Sequence, residues 1–159
     1  MKHILSILAL SALLVSCGGK KEEKKEGFEM NRSKTETKAE TTQEGVPVDL
    51  DNKGIGPIKS LEFDADINTE MASSGEAIFA IKCTACHSAD QRMIGPAMTG
   101  VYERRSPEWV MNMMLNPIEM VKKDPIAKAL LKEYGNAMMT NSNLTNDEAR
   151  SVAEYLRTL

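Results

Sequence analysis

Cysteine and histidine are scarce in this chain: three thiols and two imidazoles in 159 residues. A zinc site needs four such ligands, and outside one short stretch only Cys17 and His3 remain, both near the amino terminus. Strand-like alternation of apolar and polar residues is absent, so the βαβ setting of a thioredoxin-type dithiol is missing as well. Long apolar runs are also lacking. The single candidate, Ile4 to Val15, is broken by Ser6 and Ser11 and is too short to span a bilayer as a permanent helix. No cluster of positive charge stands out, and the net charge is −3, which excludes nucleic acid as a partner.

Against that sparse background stands Cys83-Thr84-Ala85-Cys86-His87. Two thiols and an imidazole at this spacing suit covalent attachment of one haem: each thiol adds to a vinyl group and the adjacent histidine ligates the iron. A zinc or dithiol site is the competing reading of the same five residues.

Composition divides the chain into four stretches. Residues 1–16 have the pattern of a secretory signal, with Lys2 ahead of the apolar run. The run ends in Leu14-Val15-Ser16-Cys17, which resembles the bacterial lipobox, and the resemblance implies lipidation of Cys17 after cleavage. Acyl chains contribute about 0.8 kcal/mol per buried methylene, so several on one residue anchor a protein stably. An ordinary signal with an incidental cysteine is the alternative. With Cys17 lipidated and the other two thiols on haem, none is left for a disulfide. Residues 17–45 read as a disordered linker, since Lys20 to Glu44 holds seven basic and seven acidic side chains and almost no large apolar ones. Residues 46–70 read as an extended strap, with Val46, Val48, Leu50, Ile55, Ile58, Leu61, Phe63 and Ile67 docked and its acidic residues exposed. The strap carries six acidic and two basic residues, whereas 71–159 balances ten against ten.

Residues 71–159 read as an all-α domain of about four helices. Ser73 and Glu76 have capping-box spacing and predict a helix from Ser74 into the cysteine motif. Ser106-Pro107 predicts a second, buried through Val110, Met113 and Met114 and stopping before Asn116-Pro117. Asp124-Pro125 opens a third, to Tyr134 and Gly135. Thr145 and Glu148 open the last, with Ala149, Val152, Ala153 and Leu156 as its apolar stripe. Gly75 would let the first and last helices cross closely.

Gly75-x-x-x-Phe79 before the cysteine motif, Gly95-Pro96 after it, a methionine loop and a Tyr155-Leu156 helix together resemble a class I cytochrome c over residues 71–159. The resemblance implies one covalent haem c around which the helices pack, with Cys83 and Cys86 as thioethers and His87 as an axial iron ligand. It implies that the Pro96 carbonyl accepts the other ring N–H of His87, and that a loop methionine completes the iron. Met139-Thr140-Asn141-Ser142-Asn143-Leu144-Thr145 aligns with the family's ligand loop, Thr140 replacing its usual proline. Met139 is therefore expected as the second axial ligand, with Met138 the runner-up. Arg104, Arg105 and Trp109 are candidates to hold the haem propionates; a surface arginine pair and a core tryptophan is the alternative.

What this implies is a monomeric electron carrier, not an enzyme. It would be exported to the periplasmic or cell-surface side and lipid-anchored in a membrane. Gly18 after Cys17 points by analogy to the outer one. The electron donor would be a quinol-oxidising complex, and the acceptor a terminal oxidase or a reductase. The strap and Arg104-Arg105-Ser106-Pro107-Glu108-Trp109 faintly resemble cytochromes for which nitrous-oxide reductase is a conceivable acceptor. Two other readings stay open: a haem enzyme or gas sensor with an open sixth position, and a haem module targeted to one fixed complex.

Overall fold

The computed structural model describes residues 45–159. The leader at 1–16, the lipidation candidate Cys17 and, apart from Gly45, the linker expected over 17–45 lie outside the described residues.

The all-α expectation holds, with one helix more than the sequence suggested. Among the described residues the helices are α1 (Thr69–Lys82), α2 (Pro107–Leu115), α3 (Pro117–Lys123), α4 (Pro125–Glu133) and α5 (Asn146–Leu156), with a 3-10 turn at Val101–Glu103. The sole strand-like feature among them is an isolated parallel bridge between Asp49 and Arg105. None of these helices is long and apolar enough to cross a membrane.

The additional helix is α3. Pro117, read as a stop, is also the first residue of the next helix, where its missing N–H costs nothing. Asn116 closes α2 with its N–H on Asn112 and at the same time opens α3. The start of α1 also differs from expectation. Asn68 is the cap, accepting from the Met71 N–H at 2.9 Å, so Ser73 and Glu76 lie inside the helix. The Asn68 N–H is itself held by the Glu154 carboxylate at 2.9 Å, a tertiary partner that a local capping pattern cannot foresee. At α5 the capping box forms as expected, with Thr145 and Glu148 bonding each other's backbone N–H.

α1 packs chiefly on α5. A Cβ on Gly75 would run into the Ser151 carbonyl and lie 2.9 Å from the Val152 nitrogen, so only glycine permits this crossing. The α5 stripe is buried as expected, and Phe79 stacks obliquely on Tyr155 at 5.4 Å. In α2 the burial shifts by one position: Met111 is buried with Val110 and Met114, while Met113 is only partly covered.

Residues 45–68 lie against the helices without forming one. Of the eight apolar residues expected to dock, Val46, Ile58, Leu61 and Phe63 pack on the core, whereas Val48, Leu50, Ile55 and Ile67 are exposed. Polar side chains from the helices do much of the fastening. Asn112, fully buried, donates to the Lys53 and Ile58 carbonyls and accepts from the Ile58 N–H at 2.8–2.9 Å. Glu108 accepts from the Leu61 N–H and pairs with Lys53 at 3.1 Å. Arg150 and Arg157 both lie over the Phe63 ring, at 5.0 and 4.7 Å, and both pair with the buried Glu154.

Candidate functional site

The last turn of α1 delivers the cysteine motif. The Cys83 N–H closes the helix on the Phe79 carbonyl, and the N–H groups of Cys86 and His87 both return to the Cys83 carbonyl at 2.9–3.0 Å. This coil brings both thiols and the imidazole to one cavity of about 230 Å³. Burial pushes the Cys83 thiol above its ordinary value, partly opposed by the Lys82 charge, so the group stays a neutral thiol at physiological pH.

His87 is fixed from behind. Its Nδ1 lies 3.0 Å from the Pro96 carbonyl. A carbonyl can only accept, so Nδ1 donates in this bond and Nε2 is the ring nitrogen that remains available. The ring rests on Gly95, where a Cβ would stand 2.8 Å from Nδ1 and 2.9 Å from Nε2. The Gly95 N–H in turn donates to the Cys86 carbonyl at 2.8 Å, tying the glycine to the motif it supports.

The rest of the cavity is mostly apolar. α2 contributes Trp109, Val110, Met113 and Met114; α3 contributes Val121; α4 contributes Ala127, Leu130 and Leu131; α5 contributes Val152 and Leu156. The loop before α5 adds Met138 and Met139. These two differ: Met138 is 55% exposed, while Met139 is partly buried and packs on the core. Thiols, an unprotonated imidazole nitrogen, a thioether and apolar walls form a donor set suited to a covalently held haem. Among the described residues no three His, Cys, Asp or Glu side chains gather as a metal cluster, which removes the support a zinc reading needs.

The three polar candidates for propionates, Arg104, Arg105 and Trp109, all line the cavity, but each has donors engaged within the protein. The Trp109 indole N–H, expected to reach the ligand, is donated to Asp124 at 3.1 Å, so the tryptophan offers the cavity its ring. The Arg105 Nη1 donates to the Pro47 and Arg104 carbonyls at 2.7 and 2.5 Å, leaving only its other N–H groups for a carboxylate. Its charge is buried, and burial together with the neighbouring Arg104 lowers its pKa. Arg104 spans the Ala97 and Thr99 carbonyls and so braces the loop that follows Pro96.

Sequence reasoning passed over Asp124 as a side chain of the site, reading it only as a helix start. The carboxylate does cap α4 through the Ala127 N–H at 2.8 Å, but it also holds Trp109 and the strap residue Asn52. No local pattern links these positions.

A family model described as cytochrome c matches residues 72–159. A cytochrome c2 of Rhodopseudomonas palustris is 30% identical, the matched region covering 55% of this chain and 97% of that protein. Among solved structures, a cytochrome c from Rhodothermus marinus superposes with a TM-score of 0.62 at 45% identity, over 65% of this chain and 88% of that one. An engineered cytochrome c from Rhodothermus marinus, bound to a carbene intermediate, gives 0.60 at 43% identity, over 65% and 88%.

Proposed function

This chain belongs to the cytochrome c family and is an electron-transfer protein rather than an enzyme; we propose that it is a lipid-tethered carrier with one covalent haem c. In this reading Cys83 and Cys86 would hold the haem by thioether bonds, and His87 and Met139 would be the ligands of its iron. Bound there, the group takes up and gives up single electrons. The observation that carries the reading is the Nδ1–Pro96 hydrogen bond, which frees Nε2 of His87 in a cavity that also holds both thiols and Met139.

The residues of the chain then have distinct tasks. Pro96 and Gly95 fix the imidazole plane, a constraint of the kind that tunes a metal site. The apolar walls from α2, α4 and α5 keep water from the iron, and a thioether ligand with that shielding favours the reduced state. Met139 is preferred to Met138 because it is the one packed on the core. Arg105 retains N–H groups for a propionate, and Trp109 serves as an apolar wall.

Residues 1–16 would direct export, lipid on Cys17 would hold the protein at the outer membrane, and the charged stretch to residue 45 would give the domain reach. A quinol-oxidising complex would supply electrons, and a terminal oxidase or a reductase such as nitrous-oxide reductase would accept them.

The spectrum of the oxidised, purified protein tests the ligand set. The weak near-infrared band of methionine-to-iron ligation is expected in the native protein and lost in Met139→Ala. Absence of the band from the native protein, with carbon monoxide binding readily on reduction, would instead mean an open sixth position and a gas-binding or catalytic role. Loss of the band in Met138→Ala alone would move the ligand by one residue. Cys17→Ser should release the protein from membranes, and unchanged retention would refute the lipid anchor.

A further inference from the structure

We propose that Asp124 is a positioning residue that also sets the reduction potential, by holding Trp109 and placing a buried negative charge directly behind the cavity wall. The inference rests on the haem reading above. Asp124 is only 2% exposed. Its carboxylate accepts from three parts of the fold: Asn52 of the strap at 2.7 Å, the Trp109 indole of α2 at 3.1 Å and the Ala127 N–H of α4 at 2.8 Å. All three partners donate, so the group serves as an acceptor only, as an ionised carboxylate does. A helix cap alone would need one oxygen and one N–H. Here the capping oxygen also takes the indole N–H of Trp109, a residue that lines the cavity, while the second oxygen holds Asn52.

Trp109 and Ala127 both line that cavity, so the carboxylate sits one residue from it. A buried countercharge, the Arg105 guanidinium, lies 5.5 Å from the centre of the Trp109 ring and within the electrostatic reach of Asp124. Charges in such low-dielectric surroundings act over longer distances than in water. The negative charge favours the oxidised, more positive iron. Neutralising it leaves Arg105 with only Asp49 in partial compensation and favours reduction.

The sign of the effect separates this role from a structural one. Loosening the wall admits water, which stabilises the oxidised iron and lowers the potential. Removing the charge raises it. Asp124→Asn keeps the size and one acceptor oxygen for Trp109 and Ala127 while replacing the oxygen that faces Asn52 with an amide, and Asp124→Ser keeps a good helix cap while also losing the charge. Asn52→Ala breaks two hydrogen bonds, one to Asp124 and one from the Gly54 N–H, and leaves the charge.

The experiment is a redox titration of the full haem-loaded chain at fixed ionic strength, with thermal melting of each variant alongside. Expected are a more positive midpoint for Asp124→Asn and Asp124→Ser, and a destabilised Asn52→Ala whose midpoint is not raised. A midpoint at or below the native value in both Asp124 variants would overturn the proposal. Failure of the native chain to take up haem would instead refute the reading on which it rests.

Discussion

At position 95 a single methyl group decides the geometry of the imidazole. The ring of His87 occupies the space a Cβ would need, and its position fixes both the Nδ1 bond to Pro96 and the direction of Nε2. Gly95→Ala should displace the ring, break that bond and cost about 1–3 kcal/mol in stability of the loaded protein. Thermal melting and the near-infrared band report the two effects separately, and an unchanged band would show that the ring has room to move. The residues of this arm of the site were legible because they are close in sequence: nine positions separate His87 from Pro96. Asp124, Asn112 and Glu154 were not, since their strap partners lie 72, 54 and 86 positions away. A polar residue on a helix face reads as solvated until the segment that covers it is known.

Among the elements, the strap is joined to the helices largely through buried carboxylates, and this gives the joint a pH dependence. Burial alone would raise the Glu154 carboxyl, but the Asn68 N–H and the Arg150 and Arg157 guanidinium groups outweigh it, and its pKa falls below the ordinary 4.5. Burial likewise opposes a net lowering at Glu108, where its own backbone N–H, Lys53 and the Leu61 N–H prevail. A carboxyl depressed in the folded state binds protons more readily once unfolded. Its stabilisation is therefore complete above pH about 4.5 and is lost as pH falls through the folded-state values. Glu154→Gln should melt lower at neutral pH and lose less on acidification from about pH 6 to about pH 3, so that the two profiles converge. Parallel profiles would assign the acid sensitivity elsewhere. The helices themselves were legible wherever a local signal fixed an end: Ser106-Pro107, Asp124-Pro125 and the Thr145–Glu148 box each mark a true start. Asn116-Pro117 is ambiguous because the same dipeptide can stop one helix and begin another. The start of α1 escaped because its cap, Asn68, is itself held by Glu154 on α5.

For the molecule as a whole, the cysteine motif and the methionine loop made the family recognisable, while the manner in which the strap is fastened became visible only in three dimensions. That fastening separates two boundaries that are easily taken for one. The family pattern begins at residue 72. A chain shortened to 72–159 would strip Asn112 of its bonds to Lys53 and Ile58, Glu108 of Leu61 and Lys53, Glu154 of Asn68, and Asp124 of Asn52. Each orphaned polar group costs about 1–3 kcal/mol, against a total stability of about 5–15 kcal/mol for an ordinary domain. The shortened chain should show no cooperative melt, whereas one beginning at residue 45 should melt as a single transition. Equal melting of the two would show that the strap is dispensable. What is heritable as a sequence signature is thus narrower than what is portable as a folding unit: a haem domain transplanted at its family boundary would leave its own fasteners behind.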